Sequence, residues 1–193
     1  MYKIKEFNMK KLIVCTVLFM TCMLVYSQVR PKVNPFPMLK GVTTLNYRFD
    51  YSKMKIEEMD AKEYIYGFVY NDEEDADVAF RKFSKKLENK FIAGVNKEII
   101  KKYKLDNSVD LPFEVVLYFT TVDEDGGHKI IGQVRDKEND QILKEIKAGA
   151  GGDRMNSFEK LFFEELEKSS EKFADNLKEQ VLDIANAKKY AKK

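Results

Sequence analysis

Between Asp75 and Tyr103 the apolar residues Ala76, Phe80, Phe83, Leu87, Phe91, Val95 and Ile99 recur at steps of three or four. That spacing lines one stripe of a helix, with Lys82, Lys85, Lys86, Glu88 and Lys97 largely on the other side, and predicts an amphipathic helix over 75–103. Phe158, Phe162, Leu166, Phe173, Leu177, Val181 and Ile184 repeat the pattern near the C-terminus. Asn156-Ser-Phe-Glu159 has capping-box spacing at its start, and Lys188, Lys189, Lys192 and Lys193 place cations at the negative pole of the helix dipole.

Elsewhere the period is two. Leu45, Tyr47 and Phe49 alternate with Asn46 and Arg48, which predicts a strand within 42–50, and Met54 and Ile56 resume the alternation briefly. Asp60-Ala-Lys-Glu63 has the spacing to open a short helix through Tyr66. Residues 113–122 are rich in aromatic and β-branched side chains, and 129–135 contains Ile131 and Val134. Asp125-Gly126-Gly127 between them is a turn signal, so the two segments form a hairpin; Ile142 and Ile146 suit a third strand over 141–148. Each long helix needs one surface to cover. The expected architecture is therefore α+β: about four strands, mostly antiparallel, with two long amphipathic helices on one face.

The beginning of the chain changes the picture from fold to address. Lys3, Lys5, Lys10 and Lys11 precede an apolar run from Leu12 to Tyr26, with Val25 and Ser27 small enough for a leader peptidase, so 1–27 reads as a secretory signal cleaved before Gln28. The run is shorter than the roughly 20 residues of a bilayer span, and no second span is expected after cleavage. An alternative places an acylated Cys22 at the start of a lipoprotein, although Phe19-Met20-Thr21 is bulky for a lipobox. Pro31, Pro35 and Pro37 make 28–40 an extended lead-in, followed by one domain over 41–190 and a basic tail, 191–193. The expected location is periplasmic or extracellular.

Both cysteines, Cys15 and Cys22, fall in the leader, which removes thiol chemistry and disulfides from the remainder. Beyond residue 27, 30 basic residues face 31 acidic ones, so no overall charge draws the domain to nucleic acid. His128 is the single histidine, which excludes a multi-histidine metal site, and at the tip of the predicted hairpin it is expected to face solvent. No metal or cofactor is expected.

Two local patterns nominate ligand contacts. Gly149, Gly151, Gly152 and Arg154 follow a strand and precede a helix, where backbone N–H groups can approach an anion; the same glycines also suit a plain strand-to-helix turn. Tyr64, Tyr66 and Tyr70, with Phe68 between them, form a candidate aromatic platform for a glycan. A Gly-x-Ser-x-Gly elbow is missing, so no catalytic residue is nominated, and with so many carboxylates no pair stands out for hydrolase chemistry.

The stretch Leu45-Asn-Tyr-Arg-Phe-Asp-Tyr-Ser-Lys53-Met-Lys-Ile56, the helix after it, the hairpin and Lys147-Ala-Gly-Ala-Gly-Gly152 resemble small exported α/β proteins of Gram-negative envelopes. The layout is also similar to α/β domains of envelope assembly factors, namely the N-terminal domain of the Tol-system propeller protein and the periplasmic part of the curli secretion channel. The resemblance implies an interaction or assembly module with an envelope protein as partner, and supplies no catalytic residue. The alternatives are a small-ligand or glycan binder and a carboxylate-dependent hydrolase. A homodimer through an open sheet edge is a further expectation.

Overall fold

Strand β1 (Thr44–Asp50) carries out the alternation of its sequence: Leu45 is buried, and Phe49 meets Phe91 edge-on at 5.9 Å between ring centroids. The structure is a computed structural model that describes residues 33–152 and 157–187. After β1 come two short strands, β2 (Lys55–Ile56) and β3 (Met59–Asp60), then α1 (Ala61–Tyr64). The Asp60 side chain accepts a hydrogen bond from the Lys62 N–H at 2.9 Å, the expected cap. A looser π turn, Ile65–Val69, continues α1 and ends where the Tyr70 N–H reaches back to the Ile65 carbonyl.

Helix α2 (Ala76–Ile99) is capped by Asp75, whose carboxylate accepts from the Val78 N–H at 2.9 Å. It buries Ala79, Phe83, Leu87, Phe91, Ile92, Val95 and Ile99, so the stripe read from the sequence faces the core. Strands β4 (Lys104–Leu105), β5 (Phe113–Val122), β6 (His128–Asp136) and β7 (Gln141–Ala150) follow, and α3 (Phe158–Leu177) comes after them. A π turn, Lys178–Leu182, leads from α3 into α4 (Asp183–Ala185). Ser157 occupies the N-cap position of α3, and Asn156, where the capping box was expected, lies outside the described residues.

The sheet departs from the expected four antiparallel strands: it is mixed and has seven. β5–β6–β7 form the antiparallel meander, but β1 pairs parallel with β5, placing Asn46 opposite Glu114 and Asp50 opposite Tyr118. The reason is topological. α2 spans 24 residues, about 36 Å, and carries the chain back to the end from which β1 started, so the strand that returns beside β1 runs the same way. β4 pairs parallel along the outer edge of β1, and β2 pairs parallel with the end of β5 at Ile56 and Val122. β2 and β3 form a hairpin through Glu57 and Glu58, both at positive φ (55° and 71°), the hand a two-residue hairpin needs.

One face of the sheet presents Val115, Leu117, Phe119, Ile130, Val134, Ile146 and Ala148 to the core. Phe83–Phe162 (5.4 Å) and Phe91–Phe173 (5.6 Å) join the helices above it. Phe173 seats so closely over β6 that a Cβ at position 132 would lie 2.4 Å from its ring, which is why a glycine, Gly132, follows Ile130 and Ile131 in this strand. Phe36 and Leu39, upstream of Gly41, are also buried in this core. Among the described residues no helix is long and apolar enough to cross a membrane.

Candidate functional site

Where α2 meets the start of α3, lysines and aromatic rings converge. Lys82, Lys86 and Lys90 recur every four residues on α2 and so share one face, with Lys85 beside them; Lys160 of α3 comes alongside. They line two adjoining grooves of about 540 and 340 Å³. The Phe163 ring lies within the smaller groove, with the Lys86 ammonium 4.4 Å and the Lys90 ammonium 6.0 Å from its centroid.

Three carboxylates partly neutralise the cluster, with Glu164 lining the smaller groove beside Glu159. Glu159 accepts from Lys86 Nζ at 2.7 Å and from the Tyr70 hydroxyl, and Glu73 accepts from Lys82 Nζ at 2.5 Å. Burial opposes ionisation of Glu159, yet the Lys86 and Tyr70 hydrogen bonds hold its carboxyl below the usual carboxylate value. Burial, then the Glu159 hydrogen bond, push the Tyr70 phenol up, so it stays a neutral donor. Lys85 and Lys90 take part in no ion pair among the described residues. What remains is an exposed cationic surface with an aromatic floor, suited to carboxylate or other anionic groups.

The predicted aromatic run adjoins this surface without forming one flat platform. Tyr64 packs on Phe158 (5.1 Å) and Phe68 (5.0 Å), and Tyr70 turns its hydroxyl to Glu159 beneath Lys82. Tyr66 and Phe68 face solvent, Phe68 at 68% exposure. The glycine loop is elsewhere. Gly149 lies in β7 opposite Lys129, and Gly152 lies so close to Asp125 that a Cβ there would overlap the carboxylate. Gly151 has open space around it, and Arg154 lies outside the described residues.

His128 corrects the expectation of a solvent-facing hairpin tip, for it is only 3% exposed. The turn before it, with Gly126 at φ +83°, lies against α3: a Cβ on Gly126 would sit 2.6 Å from the Phe162 nitrogen. That docking draws the first residue of β6 under the helix, between Phe119 and Phe162. Nδ1 lies 2.9 Å from the Gly126 carbonyl and Nε2 2.7 Å from Ser169 Oγ. Burial pushes the imidazole below the ordinary histidine value, against the Gly126 hydrogen bond and the charges of Glu165 and Asp123. In the neutral ring, Nδ1–H donates to the carbonyl and Nε2 is left as an acceptor for the Ser169 hydroxyl, at 2.7 Å the nearer of that hydroxyl's two acceptors, the other being the Leu166 carbonyl at 3.0 Å; the assignment is made from the partners. His128 fastens the hairpin to α3, and its ring nitrogens are both engaged.

A second concavity, about 470 Å³, runs along the outer edge of β1 between Arg48, Glu88, Asn107 and Lys137. Its floor includes Asn46, whose Nδ2 donates to the carbonyls of Asp106 (2.7 Å) and Val109 (2.8 Å) and whose Oδ1 accepts from the Leu111 N–H (2.7 Å). Sequence reasoning named Asn46 only as a polar member of an alternation, and it placed Lys82, Lys85 and Lys86 on a solvated face without Lys90 or Lys160. The four-residue spacing of Lys82, Lys86 and Lys90 was the available signal; the approach of Lys160 and Phe163 depends on how the helices pack.

No known protein family matches the chain, and no curated protein does. Among solved structures, a candidate lipoprotein from Caulobacter crescentus CB15 aligns with a TM-score of 0.33 and 9% identity, over 51% of this chain and 80% of that one. A superposition that loose carries no argument about fold family or function, so the functional reading rests on this chain's own residues.

Proposed function

We propose that this protein is an exported module of the cell envelope that works by contact, engaging an acidic segment of another envelope protein at its lysine-lined end. The observation that carries the reading is the convergence of Lys82, Lys85, Lys86, Lys90 and Lys160 around Phe163, with three carboxylates, Glu73, Glu159 and Glu164, set among five cations. Export is supported by the basic, then apolar, start of the sequence. A contact role is supported by His128, whose two nitrogens serve the core. Exposed cations of this kind steer an acidic partner and set its orientation. Crosslinked pull-downs from native envelopes should recover a partner with the wild-type chain and lose it with Lys85→Glu/Lys90→Glu. Recovery of the same proteins by both would sink the proposal.

A second reading, glycan binding, has one observation in its favour: Phe68 stands exposed beside Tyr64 at one border of the same surface. It predicts a rise in melting temperature with an envelope glycan that Phe68→Ala removes. A glycan panel producing no shift would end it.

A further inference from the structure

We propose that β7 pairs antiparallel with β7 of a second copy, about a two-fold axis at Ile146, continuing the sheet across a homodimer. The proposal does not depend on the lysine-lined surface. β7 pairs with β6 along one edge, and among the described residues its other edge carries no strand. The direction of its peptide groups is fixed by Asn176, whose Nδ2 donates to the Lys147 carbonyl at 3.1 Å from α3. Lys147 therefore points its backbone away from β6. Since backbone groups alternate in direction along a strand, Glu145 and Gly149 do the same.

These outward residues select a register. In a two-fold antiparallel pair centred on residue c, each residue i lies opposite 2c − i. Centring on 145 sets Glu145 against Glu145, and centring on 147 sets Lys147 against Lys147. Centring on Ile146 sets Glu145 opposite the partner's Lys147 and Lys147 opposite the partner's Glu145. Both contacts repeat by symmetry, and directly opposed unlike charges stabilise a strand pair while like charges destabilise it. Glu145 and Lys147 are exposed and two residues apart, hence on the same sheet face, the one away from the helices. Within one chain they already lie 3.4 Å from each other, and the Gln133 side chain steadies Glu145 at 3.4 Å. The same register puts Ile142, 48% exposed, opposite the partner's Ala150. The occupant this edge fits by charge is its own copy.

Asn176 is the competitor. Its amide holds the Lys147 carbonyl that the partner's Glu145 N–H would take, so removing that amide should tighten the dimer.

Sedimentation velocity across micromolar to millimolar concentration tests this, with far-UV circular dichroism to show that each variant is folded. The wild type should dimerise reversibly. Glu145→Lys, which sets lysine against lysine twice, should weaken the dimer by at least about tenfold. Glu145→Lys/Lys147→Glu, which restores both pairs with signs exchanged, should recover it, and Asn176→Ala should strengthen it. A wild type monomeric at millimolar concentration overturns the proposal, and if it nonetheless captures a strand-bearing envelope protein, the edge serves a foreign strand. Dimerisation that Glu145→Lys leaves unchanged also overturns it, because the contact then lies elsewhere.

Discussion

At the outer edge of β1, Asn107 offers both halves of its carboxamide to Tyr47: Oδ1 accepts from the N–H and Nδ2 donates to the carbonyl, each at 2.9 Å. At the outer edge of β7, Asn176 supplies a donor alone, to the Lys147 carbonyl. The first side chain copies a whole peptide group of a neighbouring strand, and the second copies half of one. Each edge also has a buried polar fastening behind it. Asn46 ties β1 to the loop from Asp106 to Leu111 with three hydrogen bonds, and His128 ties β6 to the Gly126 turn with one and to Ser169 of α3 with another. The comparison teaches that β1 is closed by local polar chemistry, whereas β7 is guarded mainly by charges that also suit a copy of itself.

Breaking the buried fastenings should have the largest effects. Asn46→Ala leaves two carbonyls and one N–H without their partner, and a loss of about 4 kcal/mol in urea unfolding is expected. A loss below about 1 kcal/mol would mean that water replaces the side chain and that the β1 edge does not depend on it.

His128→Ala should cost about 3 kcal/mol, from the vacated space and the Gly126 carbonyl left without its donor. The wild type should also show a pH dependence that this variant lacks. Because burial lowers the folded-state value, the unfolded chain binds the proton more readily. Stability from this residue is fully present above about pH 6.5, the unfolded value, and declines as the pH falls through the folded one. Equal slopes for the two proteins between pH 7 and 5 would contradict the neutral, buried assignment.

The surface amides come last. Asn107→Ala should cost about 1 kcal/mol and speed hydrogen exchange at Tyr47, since its N–H loses its acceptor. Asn176→Ala should cost about 0.5 kcal/mol in the monomer, where one exposed hydrogen bond is lost. Similar costs for the two would erase the distinction between the edges.

Much of this architecture was legible in the sequence, and the gaps have physical causes. The stripe from Phe83 to Ile99 and the meander around Gly126 follow from side-chain periodicity and turn chemistry, which act locally. The β2–β3 hairpin was not legible because Glu57 and Glu58 adopt positive φ without the Gly, Asn or Asp that usually announces it. The parallel pairing of β1 with β5 was missed because alternation says which face a strand buries and nothing about its neighbour. His128 was misplaced for a similar reason: the turn chemistry was read correctly, but the helix that covers the turn lies some 30 residues further on. At the candidate site the α2 lysines were visible as a face, while the contribution of Lys160 and Phe163 arises only when α3 docks.

β5 joins neighbours at very different distances along the chain. β6 follows it after a short turn, whereas Arg48 meets Glu114 across 66 residues. Closing the longer loop costs more entropy, which predicts that the meander forms before β1 docks on β5. Pulse-labelled hydrogen exchange should accordingly find β6 amides protected before those of Arg48 and Asp50. On the proposal that this chain is exported N-terminus first, the strand nearest its front, β1, is one that cannot complete its sheet until β5 has followed. Late closure keeps the front of the chain threadable, which is the state that passage through a narrow channel demands.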